Sequence, residues 1–279
     1  MLNLNQERFY SAGGVGDTLT VLNKMHILSF HDKPIFNLIT NKNEIVKGGV
    51  TLIWFCSNQK YADYAEELGR LNSVDVKAIV CDPDAEIKKI KELNLHNIFN
   101  TAYNGDISGD ENGLKYFDSD MIQVSDSLVI HGALPDKFPD KSYMVLQMDA
   151  GVIFHNPRKH WNNQNFVLSF VQKVCKKYSL DCVVFGNSSN KQLPEGFINC
   201  PDTGFQCIEY LKRCKFSICL SGFGTMASLM SKIPTIWKSE GEFISNRYYG
   251  HPEWKKRGLE IQEIVEDKDK IIEFIEKSL

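Results

Sequence analysis

The residues best suited to hold an anion lie in one segment, residues 215–230, with the sequence KFSICLSGFGTMASLM. An apolar run typical of a buried strand is followed by a turn, SGFGT, and then by a sequence typical of a helix. In such an arrangement the first N–H groups of the helix lack acceptors, and the helix dipole gives them partial positive charge. Gly222 and Gly224 would let a ligand approach the backbone, and Ser221 and Thr225 add hydroxyl groups. We predict a diphosphate-binding turn here, the alternative being an ordinary strand-to-helix turn.

A second glycine-rich segment, GGVGDT at residues 13–18, stands between a predicted strand and a predicted helix. It lacks the Gly-Lys-Ser/Thr of a P-loop, and Asp17 would place a negative charge where a dinucleotide's pyrophosphate binds. Asp17 is either a helix N-cap or a carboxylate that accepts the proton of a hydroxyl substrate. Gly13, Gly14 and Gly16 form the loop that would carry it.

Three further places offer groups for a phosphorylated ligand. Arg158 and Lys159 precede a predicted helix and carry the charge that a phosphate needs, although a solvated basic loop has the same composition. Gly186 ends a predicted strand and would face a base or ribose, or belong to a plain polar loop. Glu240 follows another predicted strand, where a carboxylate can bind ribose hydroxyls.

The sequence does not favour metal-dependent or hydrolase chemistry. Asp-x-Asp occurs at residues 82–84, 118–120 and 267–269, and three matches in an acidic chain are typical of chance. There is no His-Glu-x-x-His zinc motif and no Gly-x-Ser-x-Gly nucleophile elbow. We expect no metal and no tightly bound cofactor.

Composition excludes several partners and compartments. A net charge of −3 and 43% hydrophobic residues describe a globular chain with no general electrostatic attraction to nucleic acid or membranes. The eight cysteines form no Cys-x-x-Cys pair, which predicts free thiols in a reducing compartment. We expect no signal peptide and no transmembrane segment, and therefore a cytoplasmic protein.

Short apolar runs alternate with amphipathic ones along the whole chain, which predicts an α/β fold. The segment HGALPDKFPDKS at residues 131–142 has the composition of a linker. We predict two Rossmann-like domains, residues 1–140 and 141–279, facing a central cleft lined by the carboxyl ends of their strands. We also allow for the last helix packing back on the first domain. The predicted strands are 8–12, 34–40, 50–57, 74–81, 98–103, 121–130, 143–148, 181–185, 196–200, 216–220 and 234–238. The predicted helices are 18–30, 58–72, 84–93, 162–178, 203–214 and 267–278, with a further helix after the two glycines of the 215–230 segment. Residues 104–120 are predicted to be a loop.

Taken in order, three motifs resemble the ADP-heptosyltransferase family, glycosyltransferase family 9. Gly14-Val15-Gly16-Asp17 is similar to the family's Gly-x-Gly-Asp opening. Lys159-His160-Trp161 before a polar turn is similar to its Lys-x-Trp motif. Leu220-Ser221-Gly222-Phe223-Gly224-Thr225-Met226-Ala227 is similar to its Asp-Ser/Thr-Gly-x-x-His-x-Ala, with Leu220 in place of the Asp and Thr225 in place of the His.

The resemblance implies the GT-B fold, with the acceptor held by the first domain and a nucleotide-sugar donor by the second. It implies that Asp17 is the general base, that Lys159 holds donor phosphate, and that Ser221, Gly222, Gly224 and Thr225 cradle the diphosphate. No metal is implied, because a lysine and a helix N-terminus can stabilise the departing diphosphate.

The expected activity is therefore metal-independent transfer of a sugar from a nucleotide-sugar to a hydroxyl acceptor. The acceptor would be a surface glycan or lipopolysaccharide, with a hydroxylated base in DNA as a minor alternative. Two other functions stay open at this point. One is a nucleotide-sugar epimerase or hydrolase of the same fold, and the other is a non-catalytic module that binds a nucleotide-sugar or glycan.

Overall fold

A computed structural model of the chain divides into two compact units, Met1–His131 and Gly132–Leu279. The predicted domain boundary, between residues 140 and 141, lies a few residues further along. The structure describes residues 8–12, 19, 22, 33–37, 42–46, 51–56, 58–93, 96–97, 115–116, 128–149, 160–186, 191–200, 205–241, 249 and 252–279.

The first unit contains a parallel sheet of five strands in the order β5-β4-β1-β6-β7. A separate antiparallel pair, β2 and β3, lies between β1 and β4 in the chain. The strands are β1 Arg8–Ala12, β2 Lys33–Asn37, β3 Lys42–Val46, β4 Thr51–Cys56, β5 Asp75–Val80, β6 His96–Asn97 and β7 Lys115–Tyr116, and the helices are α1 Gln59–Leu71 and α2 Pro83–Glu92.

Strand β1 lies at the switch point of this sheet, where the strands that follow in the chain are added first on one side and then on the other. The chain passes from β1 to β4 and β5 on one side and later adds β6 and β7 on the other. Ligands of open parallel sheets bind beyond the carboxyl ends of the strands at such a point. Because β1 ends at Ala12, the segment that follows it directly is the glycine-rich one predicted to carry Asp17, which lies outside the described residues.

The second unit contains a parallel sheet of six strands in the order β10-β9-β8-β11-β12-β13. Its switch point lies between β8 and β11, since β9 and β10 extend the sheet on one side and β12 and β13 on the other. The strands are β8 Tyr143–Gln147, β9 Asp181–Phe185, β10 Phe197–Asn199, β11 Ser217–Leu220, β12 Thr235–Lys238 and β13 Gly258–Ile261, and the helices are α3 Gln164–Tyr178, α4 Gln206–Leu211, α5 Phe223–Met230, α6 Pro252–Lys256 and α7 Ile264–Ser278.

The central strands of this sheet are buried and mostly apolar, as is typical of parallel strands covered by helices. All residues of β8 and β11 are buried. Helix α3 packs its apolar face on the sheet through residues such as Val167 and Val171. Helix α7, for which we allowed a return to the first domain, contributes Ile264, Ile271 and Ile275 to this same core.

Most predicted elements with a strong period are present at nearly the predicted bounds. The sequence pattern missed β3, β6, β13 and α6, which are short, and the predicted loop at residues 104–120 contains the two-residue strand β7. Residues 128–130 of the predicted strand 121–130 are described and are not in a strand, whereas the predicted strand 98–103 lies outside the described residues. Leu19 and Leu22 of the predicted helix 18–30 are described and buried.

All eight cysteines have free thiols in the structure. Burial raises the pKa of Cys219 to about 12, so this thiol beneath the β11 turn stays protonated at neutral pH. No helix in the described part of the chain has the length and apolar character needed to cross a bilayer.

Helix α3 provides a direct test of how the second unit is stabilised. The Asn163 side chain caps the helix by accepting a hydrogen bond from the Phe166 N–H at 3.0 Å. We expect Asn163→Ala to lower the free energy of unfolding by about 1 kcal/mol, measured by urea denaturation. Gln172→Ala, on the exposed face of the same helix, is the control and should change it little. Equal effects of the two substitutions would contradict the capping role.

Candidate functional site

The turn predicted to bind a diphosphate lies at the switch point of the second sheet. Strand β11 ends at Leu220, Ser221 and Gly222 form the turn, and α5 begins at Phe223. Gly222 has φ +126° and ψ −135°, a backbone conformation that only glycine adopts without strain. Within the described residues, the N–H groups of Phe223, Gly224 and Thr225 donate no hydrogen bond. The turn therefore presents three consecutive unpaired donors at the positive end of a helix.

The end of strand β11 pairs with β12 on one side, and on the side of β8 it is held by side chains. The β8–β11 ladder pairs only Ser217 and Ile218 with β8. Beyond it, the Leu220 N–H donates to Gln147 Oε1 at 3.2 Å, and Thr225 Oγ1 donates to the Leu220 carbonyl at 2.9 Å. Gln147 is only 4% exposed, and it is the last residue of β8. These two side chains thus close the gap where the two halves of the sheet diverge.

Thr225 has a different part in the turn from the one predicted. Its side chain is fully buried, at 0% exposure, and its hydroxyl hydrogen is used by the Leu220 carbonyl. Thr225 would therefore contribute its backbone N–H to an anion site, while its hydroxyl fixes the end of β11 through the Leu220 carbonyl.

The glycines at 224 and 186 are required by packing. A Cβ on Gly224 would lie 2.5 Å from Gln147 Oε1 and 2.8 Å from the Phe185 ring, so a side chain there would push α5 away from the sheet. Gly186 directly follows β9 with φ +73°, and a Cβ on it would lie 2.2 Å from the Asp149 carbonyl oxygen. Both glycines let chain segments come together at the carboxyl edge of the sheet.

Tyr249 completes the turn and was not predicted. Its hydroxyl accepts a hydrogen bond from the Gly222 N–H at 2.6 Å and lies 3.0 Å from Ser221 Oγ. Tyr249 is 3% exposed, and its ring packs against Trp237 of β12 with 5.4 Å between centroids. Tyr249 lies in a segment whose apolar residues follow no helix or strand pattern, so the sequence gives no indication that it contacts the turn.

Lys238, at the end of β12, is a second residue that the sequence pattern did not single out. Its ammonium group donates to the His160 carbonyl at 2.8 Å and forms an ion pair with Glu263. Trp161, next in the chain, donates its indole N–H to the Gln147 carbonyl at 2.8 Å. These contacts anchor the chain just after Arg158 and Lys159 to the same edge of the sheet as the turn.

The remaining predicted site residues divide into two groups. Glu240 is described and exposed, two residues beyond the end of β12. The residues outside the described part of the chain are Gly13, Gly14, Gly16, Asp17, Arg158 and Lys159. Among the described residues, no group of three or more His, Cys, Asp and Glu side chains could hold a metal ion. Asp267, from one of the Asp-x-Asp matches, instead accepts the Gln262 N–H and pairs with Lys270, and the hydrogen bond from Lys270 lowers its pKa.

No protein-family model matches this chain, and no curated protein matches it in sequence. Its fold is that of glycosyltransferase family 9 and the ADP-heptosyltransferases. The family 9 glycosyl transferase of Veillonella parvula superimposes with a TM-score of 0.57 and 11% identity, over 100% of this chain and 98% of that one. The ADP-heptose lipopolysaccharide heptosyltransferase II of Escherichia coli has a TM-score of 0.57 at 9% identity, over 98% of both chains.

A third structure, E. coli heptosyltransferase WaaC with ADP-2-deoxy-2-fluoro heptose, has a TM-score of 0.55 at 12% identity, over 98% of this chain and 99% of that one. At these identities the likeness concerns the fold. It confirms the resemblance to the heptosyltransferase fold that the three short motifs predicted.

The Lys238 contacts predict a measurable coupling. Lys238→Met removes the cation from Glu263 and the donor from the His160 carbonyl, and we expect a loss of about 2 kcal/mol in the free energy of unfolding. The double variant Lys238→Met/Glu263→Gln no longer leaves a carboxylate without its cation and should recover part of that loss. Urea denaturation of the wild type, the single variants and the double variant gives the coupling energy. Additive effects would show that the ion pair contributes nothing.

Proposed function

We propose that this protein is a glycosyltransferase that moves a sugar from a nucleotide-diphosphate sugar to a hydroxyl acceptor without a metal ion. The observation that carries the proposal is the turn after β11. It places the start of α5, with three backbone donors that are unpaired among the described residues, at the switch point of a parallel sheet, where ligands of such sheets bind. The likeness to the heptosyltransferase fold supports the same class of reaction.

The departing nucleoside diphosphate determines what the donor side must supply. As the bond to the sugar breaks, negative charge accumulates on the diphosphate, and fixed donors that stabilise that charge lower the barrier. In our proposal the amides of Phe223, Gly224 and Thr225 and the Ser221 hydroxyl bind one phosphate. Lys159 and Arg158 supply the positive charge, from a chain segment anchored by Lys238 and Trp161.

The acceptor side is assigned to the first unit. Asp17 acts as the general base that takes the proton of the acceptor hydroxyl, and Gly13, Gly14 and Gly16 form the loop that carries it. Glu240 binds ribose hydroxyls of the donor, and Gly186 keeps the end of β9 close to Asp149 at the donor-binding edge. We propose a surface glycan or lipopolysaccharide as acceptor, with a hydroxylated DNA base as the minor alternative, and a cytoplasmic site of action.

Nucleotide binding is the first expected outcome. We expect one of ADP, UDP, GDP and CMP, or one of their sugar conjugates, to raise the thermal unfolding midpoint. At a ligand concentration of 100 times the dissociation constant, the added stability is about 2.7 kcal/mol. Differential scanning fluorimetry with and without added MgCl₂ measures the shift and its dependence on metal. The absence of any shift across the panel would contradict the donor site.

Sugar transfer should depend on Asp17 while nucleotide binding does not. We expect Asp17→Ala to lower kcat by about 10²–10⁴-fold, because a positioned general base contributes that much. The nucleotide-induced shift of the unfolding midpoint should stay as in the wild type. Asp63→Ala, on the exposed face of α1, is the matched control and should leave both unchanged.

Product analysis separates the competing activities. Release of free sugar in place of a glycosylated acceptor would favour a hydrolase, and an isomeric nucleotide-sugar would favour an epimerase. Transfer that persists near the wild-type rate in Asp17→Ala would overturn the assignment of the base.

A further inference from the structure

The Tyr249 hydroxyl pairs with the first backbone donor of the turn. Gly222 precedes the first helical residue, so its N–H has no acceptor within α5. In this structure the Tyr249 hydroxyl accepts that N–H at 2.6 Å. The first donor of the turn is therefore already paired by the protein, and the three that follow it are not.

The same hydroxyl also sets what Ser221 can offer. The Tyr249 oxygen lies 3.0 Å from Ser221 Oγ. A phenol that accepts the Gly222 N–H still has one hydrogen to donate, and Ser221 Oγ is an acceptor at the right distance. Either hydroxyl can be the donor of this bond, and in both arrangements it links Tyr249 to the Ser221 side chain. The tyrosine thus orders the side-chain donor of the turn as well as its backbone.

Tyr249 is itself held on a rigid surface. Its ring packs on Trp237 at 5.4 Å between centroids. Trp237 is 4% exposed, and its ring lies so close to Gly258 of β13 that a Cβ there would be 2.3 Å from Trp237 Cζ3. Strand β13 packs against the Trp237 indole, and the indole packs against the Tyr249 ring. The Tyr249 hydroxyl therefore has little freedom to move away from the turn.

We propose that Tyr249 is a positioning residue for the donor phosphate. By pairing with Gly222 and Ser221 it holds the turn in its glycine-only conformation before a ligand arrives, with the amides of Phe223, Gly224 and Thr225 directed at one phosphate group. This proposal rests on the function proposed above, since it assigns a role within the same donor site. Preorganised donors bind an anion more tightly than donors that must first be ordered.

The test compares Tyr249→Phe with Tyr143→Phe. Both substitutions remove one buried phenol hydroxyl from the second unit. Tyr143 is the first residue of β8, at the amino end of the strand and away from the turn. Its hydroxyl donates a hydrogen bond to the Tyr210 carbonyl at 3.1 Å. A general loss of stability therefore affects both variants, whereas an effect on the turn affects only one.

Calorimetry measures the dissociation constants of ADP, UDP and GDP, and of adenosine, uridine and guanosine as phosphate-free controls. For whichever diphosphate the wild type binds, we expect Tyr249→Phe to weaken binding about tenfold and to leave binding of its nucleoside unchanged. Tyr143→Phe should bind both as the wild type does. In ¹H–¹⁵N spectra, the amide signals of residues 222–225 should shift in Tyr249→Phe and not in Tyr143→Phe.

The outcomes distinguish this inference from the proposed function. A wild type that binds none of the three diphosphates contradicts the proposed function. A wild type that binds one of them, together with a Tyr249→Phe variant of equal affinity, overturns the role of Tyr249 alone. Equal weakening of the diphosphate and its nucleoside, or equal weakening in both variants, would also overturn it, because the tyrosine would then act only on overall stability.

Discussion

The second unit depends on how the chain closes the gap between β8 and β11. Parallel strands at a switch point diverge, and the Leu220 backbone extends past the last residue that β8 can pair. A buried backbone N–H and carbonyl without partners would cost several kcal/mol, roughly 1–3 for each group. Gln147 and Thr225 satisfy both groups with their side chains. This arrangement fixes where α5 begins, and therefore where its free amides lie.

The position of the β11 end explains why three glycines lie around it, at 186, 222 and 224. Gly224 lets α5 approach Gln147, and Gly186 lets β9 approach Asp149. Gly222 has a positive φ, which favours glycine, and Gly186 combines a positive φ with close packing. Three glycines that look alike in the sequence therefore serve three purposes: helix packing, strand packing and a left-handed turn. The turn at Gly222 is followed by three backbone amides that have no acceptor among the described residues.

The positive charge of Lys238, at the carboxyl edge of the second sheet, is already paired within the protein. The cation at the end of β12 is Lys238, and its ion pair with Glu263 and its bond to the His160 carbonyl direct it to the protein. At the turn, the donors that we assign to a ligand are neutral: the amides at the start of α5 and the Ser221 hydroxyl. A site of this kind needs additional positive charge to hold a diphosphate, which is the role that we assign to Arg158 and Lys159.

The spacing of apolar residues and the residue types found at turns were enough to predict the α/β class and most long helices and strands. They also predicted the turn at Ser221 and Gly222. These features depend on residues close together in the chain, whose spacing alone decides strand or helix. The short strands β3, β6, β7 and β13 were missed, because a pairing of a few residues leaves no period to detect. The roles of Tyr249, Gln147 and Lys238, and the inward use of the Thr225 hydroxyl, were decided only by tertiary structure. Each depends on contacts between residues far apart in the chain, and the side-chain types alone do not indicate which backbone group they will meet.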